Sequence, residues 1–246
     1  MVRKNLIRRA TRSRKTPGKS DSPPRPSGIA GRAVRWIAAP KTKSSERRRQ
    51  KIFDNAIAAG NDIAKAEGLS GLTARAIANR IGCSVGTLYN VFESLDTLIL
   101  HLNGSTFDAL YEELRKIEPT DDVAATVHRI ANAYLDFVRK NPNSWKVIFD
   151  HVWPQDYPLP DWYTDKIHRS LTLLIDALSP LFPPGEHDRA MHAAVLVWSG
   201  LHGIQSLSVD EKLGFVTSKS AQDLSYAMVQ TIVIGLKDEA RRSRPD

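Results

Sequence analysis

A single cysteine, Cys83, in 246 residues leaves nothing from which to build an intrachain disulfide or a zinc site of paired cysteines, so a reducing compartment, by default the cytoplasm, is expected. No run of about 18 apolar residues goes without a charged or polar break, which excludes a membrane-spanning helix and gives no reason to expect a membrane partner. A secretory signal needs an uninterrupted apolar stretch, and Ile29 to Ala39 is cut by Arg32 and Arg35. No alternating strand pattern of any length is present, and neither a phosphate-cradling glycine loop nor a nucleophile elbow occurs. His187 and His192 stand five apart and His192 and His202 ten apart, neither of which stacks ligands on adjacent helical turns. No metal, no cofactor and no catalytic set is therefore expected, and the chain does not read as an enzyme.

The charge that is present is unevenly placed. Of the net +8, residues 1–50 hold 16 Lys or Arg against two acids (Asp21, Glu46), whereas residues 51–246 hold 19 against 25. Such asymmetry points to a polyanion-seeking tail on a mildly acidic body. Up to about Pro40 the tail is rich in Arg, Lys, Ser, Gly and Pro, with too little apolar surface to offset an ordering cost of roughly 1 to 2 kcal/mol per residue. Residues 1–45 are accordingly expected to be a disordered basic arm. A DNA-tracking arm, a merely solvated extension and an organelle transit peptide all fit that composition.

Residues 46–95 carry the clearest pattern. After Ser45, a plausible N-cap, Ile52, Phe53, Ala56, Ile57, Ile63 and Ala66 recur at three- and four-residue steps, and Gly68 supplies a stop. Thr73 suits the N-cap of a second helix with inner face Ile77, Ala78 and Ile81, and Gly82 suits the left-handed residue that ends it. Three residues remain for the turn before Ser84 caps a short helix with Val85, Leu88 and Phe92 inward. Two short helices joined by a glycine-containing turn, with a longer helix in front, match the three-helix unit that reads DNA.

The residue types fit that use. A recognition helix enters the major groove at its N-terminal end and must present small or polar groups there, as Ser84, Val85, Gly86, Thr87 and Asn90 do in the main. Tyr89 lies outward if Leu88 is inward, so its hydroxyl is placed to donate to a phosphate, or else the ring braces the next helix. Thr73 is either a pure cap or a cap that also meets a phosphate. Cys83 reads as a space-filler, since no histidine-based partner set stands nearby.

The run Gly68-Leu69-Ser70-Gly71-Leu72-Thr73-Ala74-Arg75-Ala76-Ile77-Ala78, with Ile81-Gly82-Cys83-Ser84-Val85-Gly86-Thr87-Leu88-Tyr89 and Phe92, resembles the DNA-binding domain of TetR-family transcriptional regulators. The resemblance implies an all-α homodimer that binds a double-stranded operator, usually as a repressor, and lets go when a small ligand binds. It also implies that Thr73, Ser84, Thr87 and Tyr89 fall where family members commonly touch DNA. Two departures weaken phosphate contacts carried over from the family: Val91 where many members have His or Tyr, and Leu95 where many have Lys.

From 96 to 246 the pattern is of further helices, at Leu95 to about Ile117, where Pro119 supplies a stop, then 121–140, 144–152, 160–180, 187–208 and 219–241, hence a larger helical ligand-binding and dimerisation bundle. Gly200 and Gly203 inside a helix each cost about 1 kcal/mol against Ala, a cost that close approach of another backbone would offset. With Ser206 beside them, and Leu224, Met228 and Ile232 on a final helix apolar nearly all round, they are the candidate dimer contact. Trp198-Ser199-Gly200-Leu201-His202-Gly203 is similar to the Trp-x-x-x-His-Gly signature of one class of TetR-like C-terminal domain. Trp145, Phe149, Trp153 and Trp162, with Trp198 and His202, suit the wall of an apolar pocket for an unknown effector, and they suit an ordinary core equally well. The expected function is a ligand-responsive DNA-binding regulator. Its rivals are a non-specific architectural DNA-binding protein, and a small-molecule-binding protein or enzyme with a coincidental helical head.

Overall fold

The computed structural model describes residues 43–154 and 157–242, and those residues form an all-α structure. Nine α-helices follow in order among them: α1 Lys43–Glu67, α2 Ala74–Ile81, α3 Val85–Phe92, α4 Leu95–Leu114, α5 Val123–Lys140, α6 Pro142–Asp150, α7 Asp161–Leu178, α8 His187–Val209 and α9 Ala221–Arg242. Three short 3₁₀ turns, Gly68–Gly71, Ser179–Leu181 and Leu213–Phe215, fill connections that carry no apolar period of their own. The expected basic arm lies outside the described residues as far as residue 42, but Lys43, Ser44 and Ser45 are already helical. Ser45 is therefore not the N-cap of α1, because the helix has begun before it.

Four of the remaining caps follow side-chain chemistry, whereas Asn141, Pro160 and Glu186, ahead of α6, α7 and α8, make no side-chain cap bond. Thr73, Ser84 and Ser94 each have extended backbone and accept a hydrogen bond from the amide three residues on, at 3.1, 3.1 and 3.0 Å, and Asp122 accepts from Ala124 at 2.9 Å. Gly82, at φ +70°, closes α2 in the left-handed conformation. Helix α4 ends at Leu114 in a turn through Arg115, ahead of the stop that Pro119 implies.

Two apolar clusters hold these helices. The first joins α1, α2 and α3 through Ala56, Ile63, Ile77, Leu88 and Phe92, and it continues into Leu98, Ile99 and Leu102 of α4 and Val147 of α6. Phe53 stacks on Phe92 at 5.0 Å within it. Ala64 rather than the expected Ala66 completes the inner face of α1, because Ala66 is exposed. Gly60 lets α1 and α4 cross closely, for a Cβ there would stand 2.8 Å from the Leu102 side chain. The second cluster gathers α4, α5, α7, α8 and α9 around Val127, Leu135, Leu178, Ala194 and Val229, with Trp145 of α6 built in. Helices α4 and α6 thus belong to both clusters. One face of α6 presents Val147 to the head, and Asn143 donates from its side chain to the Lys65 carbonyl at 3.0 Å. Trp145 faces the bundle.

A candidate DNA-reading head and a cavity in the bundle

The turn Gly82-Cys83-Ser84 sets α3 against α2, and burial of Leu88 and Phe92 fixes which side of α3 looks outward. Ser84, Gly86, Tyr89 and Asn90 are exposed, while Val85 and Thr87 are half-buried. Tyr89, 41% exposed, points out rather than bracing a neighbour. Sequence spacing missed one bond: the Ser84 and Thr87 hydroxyls lie 2.9 Å apart, so Thr87 is oriented by the same cap that starts the helix. Arg49 donates to the Val91 carbonyl at 3.1 Å and clamps α1 to the end of α3. Arg47, Arg48 and Lys51 on α1 and Arg75 on α2 are exposed on the head, available to screen polyanionic charge.

Between α3 and α4, Glu93 holds φ +66°, ψ −45°, and the Ser94 amide donates back to the Phe92 carbonyl at 2.7 Å. This tight three-residue turn is a strained conformation for a residue with a Cβ. It fixes the angle at which α4 leaves the head.

Inside the bundle lies a cavity of about 370 Å³ between α4, α5, α6, α7 and α8. Trp145, Phe149, Trp153 and Trp198 line it, in keeping with their sequence pattern. Trp162 and His202 do not. The Trp162 ring stacks on His101 at 4.4 Å, filling the space beside Gly104, where a Cβ would meet it at 3.1 Å. His202 stacks on Phe149 at 4.0 Å and its Nδ1 stands 3.3 Å from the Tyr134 hydroxyl. It lines instead a second, smaller cavity of about 110 Å³ with Gln205 and Ser206. Both rings thus take the packing role that an aromatic with a polar tip fills equally well. The sequence pattern missed Asn103, Tyr134 and Ser170, which with Tyr163, one of the aromatics crowded around residues 145–168, supply polar groups to the larger cavity from α4, α5 and α7. Their signal was present only as polar residues at three- and four-residue steps among apolar ones, Leu100-Asn103-Phe107 on α4 and Tyr163-Ile167-Ser170-Leu174 on α7.

Burial sets the protonation of this region. It pushes the Tyr134 and Tyr163 phenols up, so both are neutral hydrogen-bonding groups, and it lowers His202. His101 is lowered by burial first and by the Lys166 charge second. His101 also meets Phe53 of α1 edge-on at 4.9 Å, so one imidazole bridges head and bundle. The other bridge is His151, a cavity-lining residue whose Nε2 lies 3.0 Å from Asp96 in the first turn of α4.

The dimer candidates divide. A Cβ on Gly200 would stand 2.2 Å from the Met228 sulfur, so its smallness is accounted for by packing within one chain, and Leu224, Met228 and Ile232 are half-buried on their own subunit. The final helix is covered on fewer sides than its composition implies, because Tyr226 and Ile234 are exposed. Gly203 has nothing within 4 Å of an added Cβ, and Ser206 beside it is exposed. Exposed Leu196 and Leu207 extend the same side of α8 as Gly203.

A helical head with an exposed, polar-ended second short helix, joined to a bundle with an apolar cavity, has the architecture of the helix-turn-helix class. The comparisons point to a family. The family model for the tetracyclin repressor-like C-terminal domain matches residues 127–232. The "Uncharacterized HTH-type transcriptional regulator Rv0681" of Mycobacterium tuberculosis is 27% identical over 180 residues, covering 73% of this chain and 77% of that protein. A TetR transcriptional regulator from Rhodococcus sp. RHA1 shares the fold with a TM-score of 0.56 at 16% identity, over 78% of this chain and 97% of that one. A protein of unknown function from Rhodococcus sp. RHA1 does so with a TM-score of 0.62 at 20% identity, over 76% and 95%. Together these similarities support a transcriptional regulator of the TetR type, with the tetracyclin repressor-like C-terminal domain matched over residues 127–232.

Proposed function

We propose that the protein is a cytoplasmic, homodimeric repressor that reads its operator with α3 and releases it when a small molecule fills the bundle cavity. In this reading residues 46–95 are the reader and 96–246 the ligand-binding and dimerisation part, with the basic arm adding phosphate contacts. Thr73 and Tyr89 hold phosphates, and Ser84, Val85, Gly86, Thr87 and Asn90 face the bases. The observation that carries it is the sharing of α4 and α6 between the two apolar clusters. Val147 and Trp145, two residues apart on α6, stand one in each cluster, and His151 reaches from the cavity wall to Asp96 at the start of α4. A molecule that shifts α6 through Trp145 or Phe149 therefore shifts Val147 and Asn143, which pack against the head, and one that moves His151 loosens its contact with Asp96. Dimerisation rests on the exposed side of α8 around Gly203, where an apolar strip runs through Leu196 and Leu207 and an added Cβ meets nothing of its own subunit.

A band-shift titration against the DNA flanking the gene tests the reading. Binding to one duplex well above binding to scrambled DNA of the same length supports it. Equal binding to both, with a steep salt dependence, favours a non-specific architectural protein instead.

A further inference from the structure

The walls of the larger cavity specify what fills it. Among its described lining residues there is no Lys, Arg, Asp or Glu. Of the titratable groups that do line it, His151 is already set against Asp96, and Tyr134 and Tyr163 are buried phenols. A charged ligand would give up its hydration and meet no counter-charge, a cost that apolar contact does not recover. Aromatic rings from α6 and α8, Trp145, Phe149 and Trp198, line it together with the aliphatic Leu110, Leu114 and Ile130 of α4 and α5. The volume of about 370 Å³ equals roughly a dozen waters at about 30 Å³ each, the space of a biaryl-sized molecule.

Among the polar groups on this surface, two from facing helices lie side by side. Asn103 of α4, only 2% exposed, and Tyr163 of α7 both line the cavity, and the Asn103 side chain stands close enough to the Tyr163 hydroxyl to oppose the upward push of burial on that phenol. An amide with four hydrogen-bonding positions and a hydroxyl with one donor and two acceptor sites are not exhausted by one mutual contact. Trp162, the neighbour of Tyr163, packs beside Gly104, the neighbour of Asn103, so the pair lies toward the first half of α4, the half shared with the head. Ser170 lies two turns further along α7.

We propose that the cavity binds an uncharged, mainly apolar, ring-containing molecule that turns one hydrogen-bonding oxygen, a carbonyl, ester or hydroxyl, toward Asn103 and Tyr163. This rests on the effector reading above and names its ligand class. Carboxylates and phosphates are disfavoured because no counter-charge stands among the described lining residues. The saturated or purely hydrocarbon analogue is disfavoured because it leaves the Asn103 and Tyr163 groups short of a partner.

The test is equilibrium dialysis of the full chain, without DNA, against three matched probes: methyl biphenyl-4-carboxylate, biphenyl-4-carboxylate and 4-propylbiphenyl. The ester is expected to bind about tenfold or more tightly than the carboxylate, and roughly five- to tenfold more tightly than the hydrocarbon. Tyr163→Phe is expected to erase most of the ester's advantage over the hydrocarbon while leaving hydrocarbon binding in place, and Asn103→Leu to do the same. If the asparagine variant fails to fold by circular dichroism, the conservative phenylalanine variant carries the test. Retention of the carboxylate as well as the ester, an ester no better than the hydrocarbon, or retention of none of the three overturns the proposal. Adding the ester to a band-shift separates the two readings: binding by dialysis with an unmoved protein–DNA complex leaves the ligand class standing and removes the effector role.

Discussion

Replacing Gly203 with leucine separates a contact within the subunit from a contact between subunits. An added Cβ at this position meets nothing within 4 Å, so the side chain points into open space on the isolated chain. Glycine inside a helix costs about 0.8 to 1.0 kcal/mol relative to alanine and leucine nearly nothing, so the substitution stabilises the folded subunit by about 0.5 to 1 kcal/mol. For a domain of this size that is a rise of roughly 2 °C in melting temperature. If two copies of α8 cross at Gly203, a two-fold contact places two leucines where two backbones met. Overpacking of about 1 to 3 kcal/mol at each position then weakens the dimer at least about thirtyfold. Because dimerisation itself raises apparent stability by mass action, melts are compared with the wild type extrapolated to low protein concentration. Sedimentation equilibrium is expected to show a helical monomer with poor operator affinity. A mutant that stays dimeric with unchanged affinity would remove this face of α8 from the interface, and one that loses its cooperative melt would show that Gly203 is packed in a way the geometry denies. Gly200→Ala is the contrast: its Cβ falls on the Met228 sulfur, so any destabilisation there is of packing within the subunit.

Ser84→Ala removes the cap of α3 and the hydroxyl that orients Thr87, and it is expected to cost about 1 kcal/mol of stability by urea titration. Thr87→Ala is expected to cost about 1 to 3 kcal/mol at one base pair and Tyr89→Phe to weaken all duplexes alike; uniform weakening for both would demote Thr87 to positioning. His101, His202 and His128 are lowered below the ordinary histidine value, chiefly by burial. The folded state therefore holds fewer protons than the unfolded chain between those depressed values and about 6.5, so stability is full above that range and falls as the pH drops through it. Urea midpoints from pH 8 to 5 are expected to show this decline, and His101→Phe, which keeps a ring on Phe53 and Trp162, to shallow it; an unchanged slope refutes the assignment. Deleting residues 1–42 is expected to reduce the log-log salt slope by about 0.9 for each phosphate the arm had neutralised, with operator preference intact.

The head was legible because its signals are local. Thr73, Ser84 and Ser94 cap within three residues of themselves, Gly82 ends its own helix, and Leu88 and Phe92 share a face by spacing alone. Ser45 failed as a cap because an N-cap is recognised only against a boundary, and the helical period of α1 reaches upstream through basic residues that carry no apolar mark. The cavity was half legible. Aromatic crowding found Trp145, Phe149 and Trp153, and the Trp-x-x-x-His-Gly spacing found Trp198, but neither could separate these from Trp162 and His202, whose partners His101 and Tyr134 stand 61 and 68 residues away. Asn103 was overlooked for the same reason, since a polar residue among leucines acquires meaning only when the facing helix is known. Gly200 shows the converse: a small residue read as a docking surface is matched by Met228 on the next helix of its own chain.

If the exposed end of α3 reads DNA sequence, selection of bound duplexes from a random pool by the full chain enriches one motif. A pseudo-palindrome is expected, with half-sites about one helical turn or a multiple of it apart. The information should collapse at the same positions in both half-sites when Thr87 and Asn90 are replaced by alanine. Enrichment of no sequence, or an enriched site that survives the double substitution unchanged, would contradict the account.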